Sequence, residues 1–333
     1  MLKKLLILLF LPLILCSCTK NQTEEITFSS WGSITETEII NKVIKEFENN
    51  NPNIKINFIH IPQNYFQKLH LLFVAQQEPD VIFINNLYLP IYAEKLIELD
   101  IDQNNFYPQT IKAMSYNGKL LAVPRDISNL VFYYNKSIVN NINPNWNFQD
   151  FIKIINSIKH YYPTGFERDI FWAQPYILTL GYKDGINFYL DLEGKYAPTP
   201  SEVGSSTLTQ MFIDGKIALL LSGRWMYPKI CEKARFPFGI VTFPGTVNSD
   251  ASGWAISKNS QHKESAMKFI NFLASKEISE YFTKTGLIIP ARKDCAYLIK
   301  EKAFLDAIEK SEPTIVDKNY KKNQDKINKE LFN

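Results

Sequence analysis

Histidine and cysteine are scarce in this chain of 333 residues, with four of each. The histidines show no metal-ligand spacing, and neither a His-Glu-x-x-His motif nor a Gly-x-Ser-x-Gly elbow occurs. A Gly-rich phosphate loop is missing too, so any ATP-driven work belongs to another protein. After the first fifteen residues no apolar run approaches the roughly 20 residues that a bilayer-spanning helix needs. Charge of one sign is not in excess: 37 Lys and Arg against 34 Asp and Glu leave +3, spread along the chain. That balance speaks against nucleic acid as a partner. Cys231 and Cys295 are the cysteines beyond the N-terminal segment, and two distant positions do not establish a disulfide.

What the chain does have begins at its N-terminus. Lys3 and Lys4 precede an apolar stretch from Leu5 to Leu15, too short to span a bilayer but suited to the core of an export signal. The stretch ends in Leu15-Cys16-Ser17-Cys18, which resembles the lipobox of bacterial lipoproteins. That resemblance implies a signal peptide over 1–17 and a lipid on Cys18, with the protein anchored to a membrane and facing the periplasm or cell exterior. The other reading is a plain secretory signal with incidental cysteines. Residues 18–25 are polar and read as a tether. Roughly 310 residues remain, more than one ordinary core accommodates, so two domains are expected.

Residues 26–31, ITFSSW, read as a buried strand. From Thr35 the apolar positions Ile39, Ile40, Val43, Ile44 and Phe47 share one helical face. Asn50-Asn51-Pro52 closes that helix, and IKINFIHI (54–61) alternates like a strand. A helix over 65–77 leads to VIFI (81–84), an apolar run of the kind parallel sheets bury. Strand, helix, strand, helix, strand is an α/β pattern with right-handed crossovers. In open sheets of this type ligands sit beyond the carboxyl ends of the strands, which marks 31–33 and 85–86. Further on, 146–162 reads as an amphipathic helix, 212–225 as helix end, glycine turn, strand and strand end, and 238–245 as a strand. SGWAISKNS reads as another strand, followed by a helix over HKESAMKFINFLAS. The last residues of the Lys- and Asn-rich tail, 310–333, are expected to fray.

Several segments, in order, resemble the extracellular solute-binding proteins that feed sugar-type ABC importers. They are ITFSSWGS (26–33), EPDVIFIN (78–85), NGKLLAVPRDISNLVFYYNKS (117–137), FIDGKIALLLSGRW, GWAISKNSQHKESAMKFINFL and GLIIPAR (286–292). The stretch between about 160 and 205 is short for that family. The resemblance implies a periplasmic-binding-protein-like α/β fold: two lobes, a ligand cleft and a hinge of several crossovers. The expected division is an N-terminal lobe of 26–127 and 257–290 and a C-terminal lobe of 128–256 and 291–333. It further implies a carbohydrate ligand, permease subunits with a separate ATPase as partners, a monomer, no cofactor and no catalysis. Polar Arg125, Asp126 and Ser128 then interrupt an apolar segment because the chain surfaces at the groove before entering the second core.

Sugar sites need flat aromatic faces, each contributing on the order of 1 kcal/mol by analogy with aromatic pairs. They also need polar groups whose mismatch costs roughly 1–3 kcal/mol. Trp225, in SGRW, matches the family's tryptophan that stacks on sugar from the second lobe. Trp31 ends the first strand at the expected rim. Trp254 either lines the cleft or packs at the crossover. Trp172, Gln174 and Tyr176, in DIFWAQPYIL, resemble a segment of maltose-binding proteins in which an acid stands where Gln174 is. Ser128 likewise stands where those proteins have an acidic contact. Asn86 follows VIFIN, where the family often has a polar contact. Arg125 and Asp126 are either groove residues or a mutual ion pair. Arg224 and Arg292 are commonly solvated or salt-bridged types, although two cleft arginines would suit an acidic or phosphorylated ligand. Tyr134, Asn135 and Lys136 read as structural, at the hinge.

Three rival readings stay open. One is a binder of a polyol phosphate. Another is a surface glycosidase, which needs a carboxylate pair drawn from residues such as Asp80, Asp126 or Glu167. The third is an adhesin or a sensor's ligand-presenting subunit.

Overall fold

The computed structural model describes residues 23–314 and 316–332. The export signal over 1–17, Cys18 and most of the tether fall outside the described residues. The first half folds as its apolar pattern directs. Strand Glu24–Ser30 pairs in parallel with Ile54–His60 over seven residues and with Val81–Asn85 on its other side. Helix Ile34–Asn50 connects the first two strands. Its Ile39, Ile40, Val43, Ile44 and Phe47 are all buried, and Phe47 meets Phe269 of helix Lys263–Leu273 at 5.0 Å. Each such side chain withdrawn from water contributes about 1.5–3 kcal/mol.

Two sheets carry the molecule. The larger contains Ile289–Pro290, Val123–Asn129, Val247–Ile256, Val81–Asn85, Glu24–Ser30 and Ile54–His60 in that order, with Ser311–Pro313 added beside Val247–Ile256. The smaller contains Phe238–Thr242, Val131–Asn135, Ile217–Ser222 and Tyr162–Thr164. Apolar clusters fill each lobe, and a third joins them, with Ile127 and Ile289 from the larger sheet against Tyr133 and Leu220 from the smaller.

The chain changes sheets repeatedly. Only Leu130 separates Val123–Asn129 in one sheet from Val131–Asn135 in the other. It returns through residues 243–246, because Val247–Ile256 pairs with both Val81–Asn85 and Val123–Asn129. That strand therefore lies in the larger sheet, whereas an N-terminal lobe resuming at 257 leaves it in the second lobe. Its apolar Ala251, Trp254, Ala255 and Ile256 belong to the first core, which periodicity along one strand does not reveal.

The tail differs from the fraying expected of it. Tyr320–Phe332 is a helix held to the second lobe: Gln324 donates to Asp169 at 3.0 Å, and Asn328 accepts from the Ile170 amide at 2.8 Å. Ile327, Leu331 and Phe332 pack on that lobe's core, so the lysines occupy the outer face of an amphipathic helix. Cys231 and Cys295 are both free thiols, and burial pushes the latter up to about 11. No helix among the described residues is long and apolar enough to cross a membrane.

Candidate functional site

A bulge sets the site. Between the strands Val123–Asn129 and Val247–Ile256, Ser252 pairs with Asp126 but Gly253 pairs with Pro124, leaving Arg125 as the additional residue. Pro124 has no N–H to lose from the ladder, and a bulge re-aims the side chain beside it. Gly253 is required opposite: a Cβ there would lie 2.1 Å from the Val123 carbonyl oxygen.

Arg125, thus displaced, sits between two carboxylates. Its Nε donates to Asp126 at 2.7 Å and its Nη1 to Glu36 at 2.6 Å, with the guanidinium 4.2 Å from the centre of the Phe83 ring. Burial alone would depress the guanidinium, but Asp126 and Glu36 more than offset it and hold Arg125 above its ordinary value. Burial pushes the Asp126 carboxyl up, against the pull of Arg125. Glu36 arrives there from the first turn of helix Ile34–Asn50, whose Ser33 cap accepts its amide at 3.2 Å. Gly32, at φ 141, makes room, since a Cβ would come within 2.7 Å of the Glu36 carboxylate. A Ser-x-x-Glu pattern ordinarily folds the glutamate back on its cap, and here Glu36 reaches Arg125 instead.

Trp31 leaves the end of its strand half-buried, its ring 4.3 Å from Phe83 and 5.0 Å from Tyr65. Trp225 follows strand Ile217–Ser222 on the other sheet and packs against Gly223, where an added Cβ would strike its ring at 1.8 Å. Tyr133 fixes that corner by donating to the Gly223 carbonyl at 2.9 Å. Arg224, only 5% exposed, reaches back to the first lobe and donates to the carbonyls of Ile288 and, at 3.5 Å, of Thr283. Burial depresses its guanidinium, and its Nε has no partner among the described residues.

These side chains surround one cavity of about 190 Å³. Trp31, Arg125, Asp126, Ser128, Arg224 and Trp225 all line it. Glu36, Ile127, Ser252 and the segment 287–289 complete the lining and were not among the site residues expected from sequence. Their signals were faint: Glu36 carried a capping pattern, and Ser252 only its place before Gly253.

The other candidates lie elsewhere. Asn86 is buried, donating to Asp250 at 2.9 Å and accepting from the Ala251 amide at 3.1 Å. Trp254 is 2% exposed and packs between Phe83 and Phe282. Tyr176 is turned into the second core against Phe148, Phe188 and Phe243, with Trp172 and Gln174 half-buried on the same helix, Ile170–Leu180. Arg292 is held by both oxygens of Asp294, at 3.0 and 2.8 Å. Asp80 accepts from Thr27 and Ser260, so Asp80, Asp126 and Glu167 lie in separate surroundings. A wider groove of about 740 Å³, bordered by Lys95, Lys119 and Lys258, lies near the amino end of strand Val81–Asn85, away from the tryptophans. Among the described residues no cluster of three or more His, Cys, Asp or Glu could hold a metal.

Two α/β lobes joined by switching strands, with a cavity lined from both, define a two-lobed binding fold of the kind seen in sugar-binding proteins. Residues 31–280 match the model of the bacterial extracellular solute-binding proteins, and the chain belongs to that family. It is similar to the maltodextrin-binding protein of Bacillus subtilis, 25% identical over 83% of this chain and 76% of that protein. Among solved structures, a Listeria monocytogenes ABC substrate-binding protein in complex with cycloalternan matches at TM-score 0.83 and 22% identity, over 93% of this chain and 92% of the other. A Thermotoga lettingae ABC solute-binding protein bound with α-D-tagatose matches at 0.79 and 18%, over 92% and 93%.

Proposed function

We propose that this protein is the substrate-binding lipoprotein of an ABC importer, that it captures a carbohydrate, and that it delivers the sugar to a membrane permease. The observation that carries the reading is the pair of indoles, Trp31 from one lobe and Trp225 from the other, on a single cavity. Aromatic faces from both sides suit the C–H surfaces of a sugar ring, while Asp126, Ser128 and Ser252 are placed to exchange hydrogen bonds with hydroxyls. A ligand touching both lobes binds the closed form better and shifts the equilibrium by that differential affinity. The cleft carboxylates Glu36 and Asp126 are both engaged by Arg125, which favours binding over acid–base chemistry. Carbohydrates in the names of similar proteins support the ligand class. Lipid on Cys18 would keep the protein beside its permease, which a separate ATPase drives.

A thermal-shift screen over a carbohydrate panel tests the reading. A bound sugar raises the melting temperature by mass action, by about 2.7 kcal/mol of stability at a hundredfold excess over Kd. Shifts with amino acids or peptides and none with any sugar would reject it.

A further inference from the structure

We propose that the cleft admits one uncharged sugar ring and excludes a chain of them, with Arg224 and its neighbours forming the wall that stops a second ring. The proposal rests on the carbohydrate reading above and narrows it. Room is the first argument. The cavity of about 190 Å³ falls below the roughly 300–1,000 Å³ of drug-sized sites. One ring with its hydroxyls is the scale that fits.

The second argument is closure at one end. Arg224 crosses from the second lobe to the Ile288 and Thr283 carbonyls of the first. Beside it, Tyr227 and Pro228 approach Gly286 so closely that a Cβ there would stand 3.3 Å from Pro228 and 3.7 Å from Tyr227. A longer ligand leaving the cavity in that direction meets a buried cation bonded to main chain. The third is the shortage of further platforms. Tyr176 is 1% exposed and Trp254 is 2% exposed, so neither offers a face to a second ring, and Trp172 lies with Tyr176 beside Gly165 and Leu208, outside the cavity.

Charge completes the case. Two carboxylates, Glu36 and Asp126, stand against two guanidiniums, Arg125 and Arg224, on the cavity wall. Arg125 is committed to both carboxylates, and Arg224 has spent Nη1 on carbonyls. Arg224 keeps its Nε unpartnered, but with Arg125 committed and Arg292 held by Asp294 outside the cavity, a phosphate would meet no second free guanidinium among the lining residues to share its charge.

The test is titration by calorimetry of the mature protein with free aldo- and ketohexoses, their di- and trisaccharides, and their 6-phosphates. At least one hexose is expected to bind, its di- and trisaccharides about tenfold or more weaker, and its phosphate weaker by a similar factor. A disaccharide or phosphate that binds more tightly than its parent hexose overturns the size or charge limit and leaves the carbohydrate reading standing. If no sugar of any length binds, the carbohydrate reading falls and the limit with it. Arg224→Met should narrow the hexose-to-trisaccharide ratio severalfold, and an unchanged ratio removes the wall from the account. Leu287→Ala, which lines the cavity beside the Ile288 carbonyl that Arg224 engages, gives the same readout if Arg224→Met does not fold.

Discussion

Arg125 illustrates how one buried cation organises a site. Removing it as Arg125→Met leaves Glu36 and Asp126 facing each other in low dielectric, at a cost of about 3–5 kcal/mol. Glu36→Gln keeps the Asp126 partner and should cost about 1 kcal/mol. Urea unfolding of both variants checks this, and equal midpoints would mean that the carboxylates do not depend on the guanidinium. Trp225 behaves differently, because its ring is half-buried on Gly223 and supports no core. Trp225→Ala should therefore weaken sugar binding about tenfold while the melting temperature moves little. Retained affinity would take the ring out of the site.

At the scale of elements, the decisive feature is the bulge. Gly253→Ala pushes a methyl into the Val123 carbonyl and should lose several kcal/mol or re-register the strand pair, carrying Arg125 out of place. Loss of both stability and ligand affinity is expected. A variant with native stability would show that the strands separate there without cost. Helix Phe148–Ser157 offers a milder comparison. Asn147 accepts from the amides of Gln149 and Asp150 at 2.9 and 3.1 Å, and Asp150 reaches back to its amide at 3.2 Å. Asn147→Ala should lower stability by about 1 kcal/mol, seen as a shifted urea midpoint with the cavity and its affinity untouched. Sequence narrows that cap to Asn145 or Asn147 because capping is local, whereas the bulge depends on a partner strand more than a hundred residues away.

For the whole molecule, the two lobes meet through the shared cluster around Ile127, Tyr133 and Ile289 and through Arg224. Ligand should reduce the radius of gyration in small-angle scattering, and an identical curve with saturating sugar would argue against hinge closure. The N-terminal strand also ties into the far end of the first lobe. Glu24 accepts from Ser265 at 2.5 Å and lies 2.6 Å from His262 Nδ1, and these contacts hold its carboxyl below the ordinary 4.5. A depressed carboxylate contributes stability that is fully present above 4.5 and is lost as pH falls through its lower folded value. The melting-temperature gap between wild type and Glu24→Gln should accordingly shrink as pH falls below 4.5, and a gap that widens on acidification would contradict it.

Much of this protein could be read from its amino acids alone. The strands and helices of the first half, the α/β class and the strand-end positions of Trp31 and Trp225 follow from local periodicity and steric preference, while the crossing between lobes at Arg125-Asp126 is what the family resemblance implied. Tertiary structure alone decided which polar residues share a cavity. Asn86, Trp172, Gln174, Tyr176, Trp254 and Arg292 have the right chemistry, yet packing places them in a core, on a neighbouring lobe surface or in a separate ion pair. Glu36 gave no local sign of its partner, because an ion pair between residues 36 and 125 exists only once a bulge and a helix terminus have been brought together. Local rules act over a few residues of chain, whereas the convergence of side chains depends on how strands distant in sequence pair and pack.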